Sequence, residues 1–225
     1  LKFAENWFEL EARNKEIENE RLTSELRFLK AQVNPHFLFN TLNNLYYLAF
    51  TNSPNTTEVI AKLSQMMRYM LYETDNKTVL LEKEIDYIKN YIELQKLRLN
   101  NIENIYINVH GDTKNKLIEP MLLISFIENA FKYGTDYKGT AYVKIKITIE
   151  GNILDFRVEN KIENNKKDPV NSGIGLSNIK NRLNLLYANA HELNLTATDT
   201  MYTVHLILQL DQIQLQANPA FIPTS

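Results

Sequence analysis

Residues 32–44 read Q-V-N-P-H-F-L-F-N-T-L-N-N, and what this stretch forms decides how the rest of the chain is divided. It sets His36 directly after Pro35 and four residues before Asn40. Side chains at i and i+4 share a helix face, so a helix here projects His36 and Asn40 side by side. Pro35 lacks an N–H and its ring crowds the carbonyl of Ala31, which predicts a kink just before His36. A neutral imidazole, with an unperturbed pKa of about 6.5, is a competent nucleophile near neutral pH. The stretch therefore reads either as a chemically active histidine on a bent helix, or as a plain helix start with Pro35 at the first helical position.

Working outward, 225 residues suit one large domain or two modest ones, and 44% hydrophobic with 23% charged residues is ordinary for a soluble globular chain. A net charge of −2 supplies no basic field, so direct nucleic-acid binding is not expected. The sequence has no apolar run long enough to span a bilayer. Because it opens on Leu1 rather than methionine, it reads as a fragment, and any membrane association belongs to missing upstream segments. Cysteine is absent, which excludes disulfides, thiolate catalysis and cysteine metal sites. His36, His110, His191 and His205 are too far apart for a zinc spacing.

Residues 1–33 are densely charged and contain neither proline nor glycine. Phe3, Leu10, Ile17, Ser24 and Ala31 fall seven apart, the pattern of a signalling helix of coiled-coil type. The helix carrying His36 is expected to run to about Phe50, and T-N-S-P-N-T-T at 51–57 makes a loop. A second helix, about Thr57 to Glu73, presents Val59, Ile60, Leu63, Met67, Met70 and Leu71 on one face, with Met66, Met67 and Met70 as core filler. Two such helices form a hairpin, and two hairpins dimerise into a four-helix bundle. A third helix is expected at 81–99, a strand at 105–109, and an apolar helix from Pro120 to Tyr133. Alternating Val143, Ile145, Ile147 and Ile149, then Leu154, Phe156 and Val158, make strands with one wet face. Residues 162–172 read as a loop and 174–188 as a helix, with two last strands up to Leu210 and a peripheral tail at 211–225. Helices on one face of a mixed or antiparallel sheet give an α+β fold.

Three elements of the second half suit a phosphate site. In F-I-E-N-A-F-K-Y-G, residues 126–134, Asn129 and Lys132 lie three apart on one helix face. An amide oxygen suits Mg²⁺ and an ammonium suits phosphate. V-E-N at 158–160 closes a strand, and S-G-I-G-L-S-N-I at 172–179 offers two glycines before a helix whose first N–H groups are free to meet an anion.

P-H-F-L-F-N-T-L-N, E-N-A-F-K-Y-G and G-I-G-L-S-N-I-K-N-R-L-N-L-L-Y together resemble the LytS/YehU-type sensor histidine kinases, over about residues 25–210. The resemblance implies segments 1–33 for signalling, 34–78 for dimerisation and histidine phosphotransfer, and 79–210 for an α/β-sandwich ATPase domain. That domain would belong to the histidine kinase, gyrase and chaperone superfamily. It implies ATP and Mg²⁺ as cofactors, His36 as phosphoacceptor and Asn40 as its polar neighbour. Asn129 would hold Mg²⁺, and Lys132, Tyr133, Asn160, Gly173, Gly175 and Leu176 would bind the nucleotide. The implied partners are a second copy in a homodimer and a response regulator with a LytTR-type DNA-binding domain. The implied location is the cytoplasmic portion of a bacterial inner-membrane protein.

Two departures from that pattern stand out. Many relatives place an aspartate where Asn160 stands; an Asn oxygen can still accept from an adenine amino group, but its NH₂ must point elsewhere and charge assistance is lost. Phe37 follows the histidine where other kinase classes carry an acid, which leaves Glu128 as a candidate base. An ATP hydrolase of the same superfamily is a second reading, although Ser125 stands where such enzymes carry a water-activating glutamate. A non-catalytic signalling scaffold is the third.

Overall fold

The computed structural model describes residues 11, 13, 35–74, 76–162 and 174–212. The heptad pattern of 1–33, apart from helical Glu11 and Arg13, lies outside the described residues, as do the kink before His36, Gly173 and most of the 162–172 loop. The chain divides into two compact units, residues 1–56 and 57–225.

In the first unit, helix α1 (Pro35–Phe50) carries His36 and Asn40 one turn apart. Asn52 ends it by adopting a left-handed conformation, φ 51°, which short polar side chains tolerate. The Thr41 hydroxyl donates to the Phe37 carbonyl at 2.9 Å, a local back-bond within the helix. Phe39, Tyr46, Tyr47 and Phe50 are exposed aromatic side chains on this helix.

The second unit starts with helix α2 (Thr56–Tyr72) and continues with strand β1 (Val79–Leu80) and helix α3 (Leu81–Lys96). Helix α2 buries Val59, Leu63, Met66 and Tyr69. Ile60, Met67 and Leu71 are exposed instead, so the single apolar face expected of this helix is two stripes, and Met67 is not core filler. Gln65 accepts a hydrogen bond from Asn90, and Glu73 pairs with Lys83, which ties α2 to α3.

The sheet consists of β2 (Ile105–Gly111), β4 (Val143–Glu150), β5 (Ile153–Lys161), β7 (Met201–Gln209) and β6 (His191–Ala197), in the spatial order β2-β4-β5-β7-β6. β2 and β4 are parallel and every other pair is antiparallel, so the sheet is mixed. A second pairing, β1 with β3 (Leu117–Ile118), is only two residues long. Helices α4 (Leu122–Gly134) and α5 (Ile174–Leu186) contribute buried residues to the same core. The alternation read in the sequence is the burial pattern seen: Val143, Ile145 and Ile147 are buried while Lys144 and Lys146 are exposed. Burying each such side chain contributes about 1.5–3 kcal/mol. Phe126 of α4 meets Phe156 of β5 at 6.0 Å between ring centroids, and Tyr91 of α3 meets Phe131 edge-on at 5.9 Å. Helix α4 is thus gripped by the sheet on one side and α3 on the other. The architecture is α+β, helices against one face of a mixed sheet, as the sequence implied.

Candidate functional site

Three of the residues that the sequence reading set against a nucleotide, Asn129, Lys132 and Tyr133, lie together toward the C-terminal end of α4. Asn129 and Tyr133 are half-buried there, and Lys132 is exposed with its ammonium 5.1 Å from the Tyr133 ring centroid. The helix ends in Gly134, and this glycine is sterically required. A Cβ at 134 would lie 2.8 Å from the Asn160 Cβ and 3.2 Å from the Tyr142 carbonyl oxygen, so the helix end sits directly on strand β5.

Asn160 is 2% exposed, and its Nδ2 donates to the Lys161 carbonyl at 3.1 Å. With the NH₂ committed to backbone, Oδ1 is the atom left to accept from a ligand. Beside it opens a pocket of about 160 Å³ whose walls include Tyr133, Gly134, Asp136, Thr140, Tyr142 and Lys161. An apolar cavity of about 150 Å³ admits benzene, so this space is of aromatic-ring size. Asp136 stiffens one wall: its Oδ1 accepts from the Lys138 and Thr140 amides at 2.9 and 2.8 Å. None of these wall residues between 135 and 142 was singled out by the sequence, although the glycine ending a polar helix turn was the available signal.

The pocket-facing contact gives one expected result. Gly134→Ala should destabilise the second unit by about 1–3 kcal/mol, the usual cost of overpacking a closed contact. Urea denaturation measures it, and an unchanged midpoint would show that strand β5 yields without cost.

Other residues sit as follows. Gly175 lies in the first turn of α5 rather than in a loop, exposed, with open space around it; Leu176 is half-buried. Glu128 acts on α3: the phenols of Tyr87 and Tyr91 are pushed up first by burial and then by the Glu128 charge. The Ser125 hydroxyl donates to the Met121 carbonyl at 2.9 Å. Side-chain geometry at His36 lies outside the described features; its backbone is helical.

Among the described residues no cluster of three or more His, Cys, Asp or Glu side chains is placed to hold a metal. A divalent ion here would need Asn129 together with phosphate oxygens, the donor set Mg²⁺ ordinarily takes with nucleotides. A neutral amide oxygen on a half-buried helix face fits that requirement.

The histidine kinase family pattern matches residues 24–103, a span that holds His36, Asn40 and helices α1 to α3. Over 198 residues the chain is 25% identical to Sensor protein LytS of Staphylococcus epidermidis, covering 82% of this chain and 34% of that one. The chain belongs to the histidine kinase family. This histidine kinase chain is also 36% identical over 126 residues to Sensor protein kinase HptS of Staphylococcus aureus, which covers 56% of it and 24% of the relative. It spans about a third or less of the length of these curated relatives. Among solved structures, the histidine kinase domain of the blue-light activated kinase from Erythrobacter litoralis EL346 has 17% identity and a TM-score of 0.45, covering 84% of this chain and 94% of that one.

Proposed function

We propose that this chain is the kinase region of a two-component sensor that phosphorylates His36 from ATP and passes the phosphoryl group to an aspartate of a response regulator. The carrying observation is the ring-sized pocket at the end of α4, lined by Tyr133 and Gly134 of the helix that bears Asn129 and by Lys161 of β5, with Asn160 packed against Gly134. Membership of the histidine kinase family supports ATP as the donor. The reaction forms a P–N bond to a ring nitrogen of His36 and breaks the bond between the γ-phosphorus and the β,γ-bridging oxygen, and ADP leaves. The imidazole proton is lost to solvent or a base. Glu128, half-buried on α4, is the base candidate that the sequence offers.

Asn129 is assigned to Mg²⁺, which when bound neutralises triphosphate charge. Lys132 is assigned to the phosphates, Tyr133 and Asn160 to the base, and Gly173, Gly175 and Leu176 to the phosphate-closing segment. Asn40 is assigned to tuning transfer or loss of phosphate at His36. Catalysis of this kind is mainly positioning and charge neutralisation.

The exposed apolar residues of α1 and of α2, Phe39, Tyr46, Phe50, Ile60 and Leu71 among them, favour a homodimer seam and a four-helix bundle. In this reading 34–78 is the dimerisation and phosphotransfer region and 79–210 the catalytic domain. The regulator, proposed with a LytTR-type DNA-binding domain, is a protein partner; nucleic acid is not touched directly. The proposed location is the cytoplasmic side of a bacterial inner membrane. No helix among the described residues is long and apolar enough to cross a membrane, so attachment would come from segments outside them.

The hydrolase reading is disfavoured by Ser125, whose hydroxyl is bonded back to its own helix at the place where a water-activating carboxylate would be needed. Incubation with γ-labelled ATP tests the proposal. Acid-labile label on protein supports it, free phosphate alone means a hydrolase, and neither means a scaffold.

Asn160→Asp tests the base assignment. A carboxylate facing the adenine amino group makes the hydrogen bond charge-assisted, about 1 kcal/mol better, or roughly fivefold in affinity. GTP, with a carbonyl at that place, should bind worse. Repulsion of the triphosphate affects both nucleotides alike, so the ATP-to-GTP affinity ratio is the quantity to measure. A constant ratio removes Asn160 from base recognition.

A further inference from the structure

Glu84 lies in the first turn of α3, and its side chain is wholly buried. One carboxylate oxygen, Oε2, accepts both the Tyr69 hydroxyl of α2 and the Met121 N–H, the latter at 3.0 Å. Burial raises the Glu84 pKa, opposed by the Tyr69 hydroxyl and by the amides of Met121, Leu123 and Ile124, while its other oxygen, Oε1, is buried without a hydrogen-bond partner among the described residues. These amides belong to the start of α4, where the first N–H groups lack intrahelical partners and attract negative charge. Glu84 is therefore the cap of α4, supplied from another helix. Its need is visible at Met121, which holds a left-handed conformation, φ 59°, unfavourable for a side chain without a local hydrogen-bonding group.

The same junction is held from a third element. Arg182 of α5 donates through Nε to Glu119 Oε1 and through Nη2 to the Pro120 carbonyl, both at 2.8 Å. The Glu119 N–H donates to the Tyr187 hydroxyl oxygen at 3.0 Å. Residues 119–121 are thus a clamp point between α2, α3 and α5, and Asn129 stands about two turns further along the rigid helix that starts there.

We propose that Glu84 is a positioning residue of the nucleotide site: it holds the start of α4, and with it Asn129, at a place set by the Tyr69 hydroxyl of α2. The inference rests on the assignment of Asn129 to Mg²⁺-nucleotide. In the full chain, Tyr69→Phe removes only the hydroxyl, because the ring keeps its tilted contact with Tyr87, centroids 4.8 Å apart. Glu84→Gln keeps the volume and an acceptor oxygen but loses the charge. In both variants the dissociation constant for MgATP should rise at least fivefold, while that for ATP without Mg²⁺ stays within twofold.

A merely structural role would weaken both nucleotide forms alike as the melting temperature falls, and that outcome overturns the proposal, as does unchanged MgATP affinity in both variants. A wild type that binds MgATP without labelling His36 defeats the kinase reading, while the MgATP-to-ATP comparison still decides the role of Glu84. A wild type that binds no nucleotide overturns the nucleotide part. Amide exchange at residues 122–125 separately reads the holding of α4: faster exchange in both variants supports it, and wild-type protection in both overturns it.

Discussion

His36→Gln abolishes labelling of the protein by γ-labelled ATP and leaves nucleotide binding within twofold of wild type. Glutamine is a good helix former, so α1 keeps its backbone. Its amide nitrogen, however, has its lone pair delocalised into the carbonyl and cannot attack phosphorus. Binding survives because the residues assigned to the nucleotide lie in the second compact unit, residues 57–225, and His36 in the first. Label on the wild type should be lost in acid and kept in alkali, as a P–N bond requires. Acid-labile label on His36→Gln would place the acceptor elsewhere. Among the other histidines, His205 is engaged by Asp155 at 3.1 Å and His191 by the Tyr187 carbonyl at 2.7 Å, so the exposed His110 would be the first to examine.

Asn129→Ala removes the Mg²⁺ dependence of ATP binding and cuts His36 labelling by about 10²–10³, the scale seen when one electrostatic stabiliser of a transition state is deleted. Alanine is the best helix former and Asn129 is only half-buried, so the fold is retained. The Ser125 hydroxyl, one turn away, is bonded to the Met121 carbonyl. Titrating MgATP against metal-free ATP measures the effect. Equal Mg²⁺ enhancement in variant and wild type removes the metal role from Asn129.

Legibility in the sequence followed the range of the interactions. Val143 to Ile149 and Tyr202 to Leu208 announce half-buried strands because alternation is a local consequence of the pleat. Helices α1 to α5 were placed to within a few residues for the same reason. The two-residue strands β1 and β3 carry no period at all and exist through their mutual pairing. Helix α2 hides two apolar stripes in one sequence, and only packing on α3 separates buried Met66 from exposed Met67. Glu84 was illegible because Glu82, two residues earlier in the same helical turn, is an exposed acid of the same kind. What distinguishes them is the N-terminus of α4, which arrives from nearly forty residues away. At the candidate site, the E-N-A-F-K-Y-G and V-E-N motifs were visible as separate strings. Their meeting depends on Gly134 packing on Asn160, a contact no spacing predicts.

The crossover between the parallel strands β2 and β4 also tells an experimenter where a reporter can be attached. Helix α4 spans that crossover and ends at the edge of the sheet where β5 finishes, at Asn160 and Lys161. The turn joining β4 to β5 is at the opposite edge, around Gly151, whose surroundings are open. Eight residues of extended strand separate Ile153 from Lys161, about 26 Å at the usual rise per residue. A fluorophore or short peptide tag inserted at that turn would hang clear of the pocket proposed for the nucleotide, so binding can be followed from the far edge without a label competing for the site.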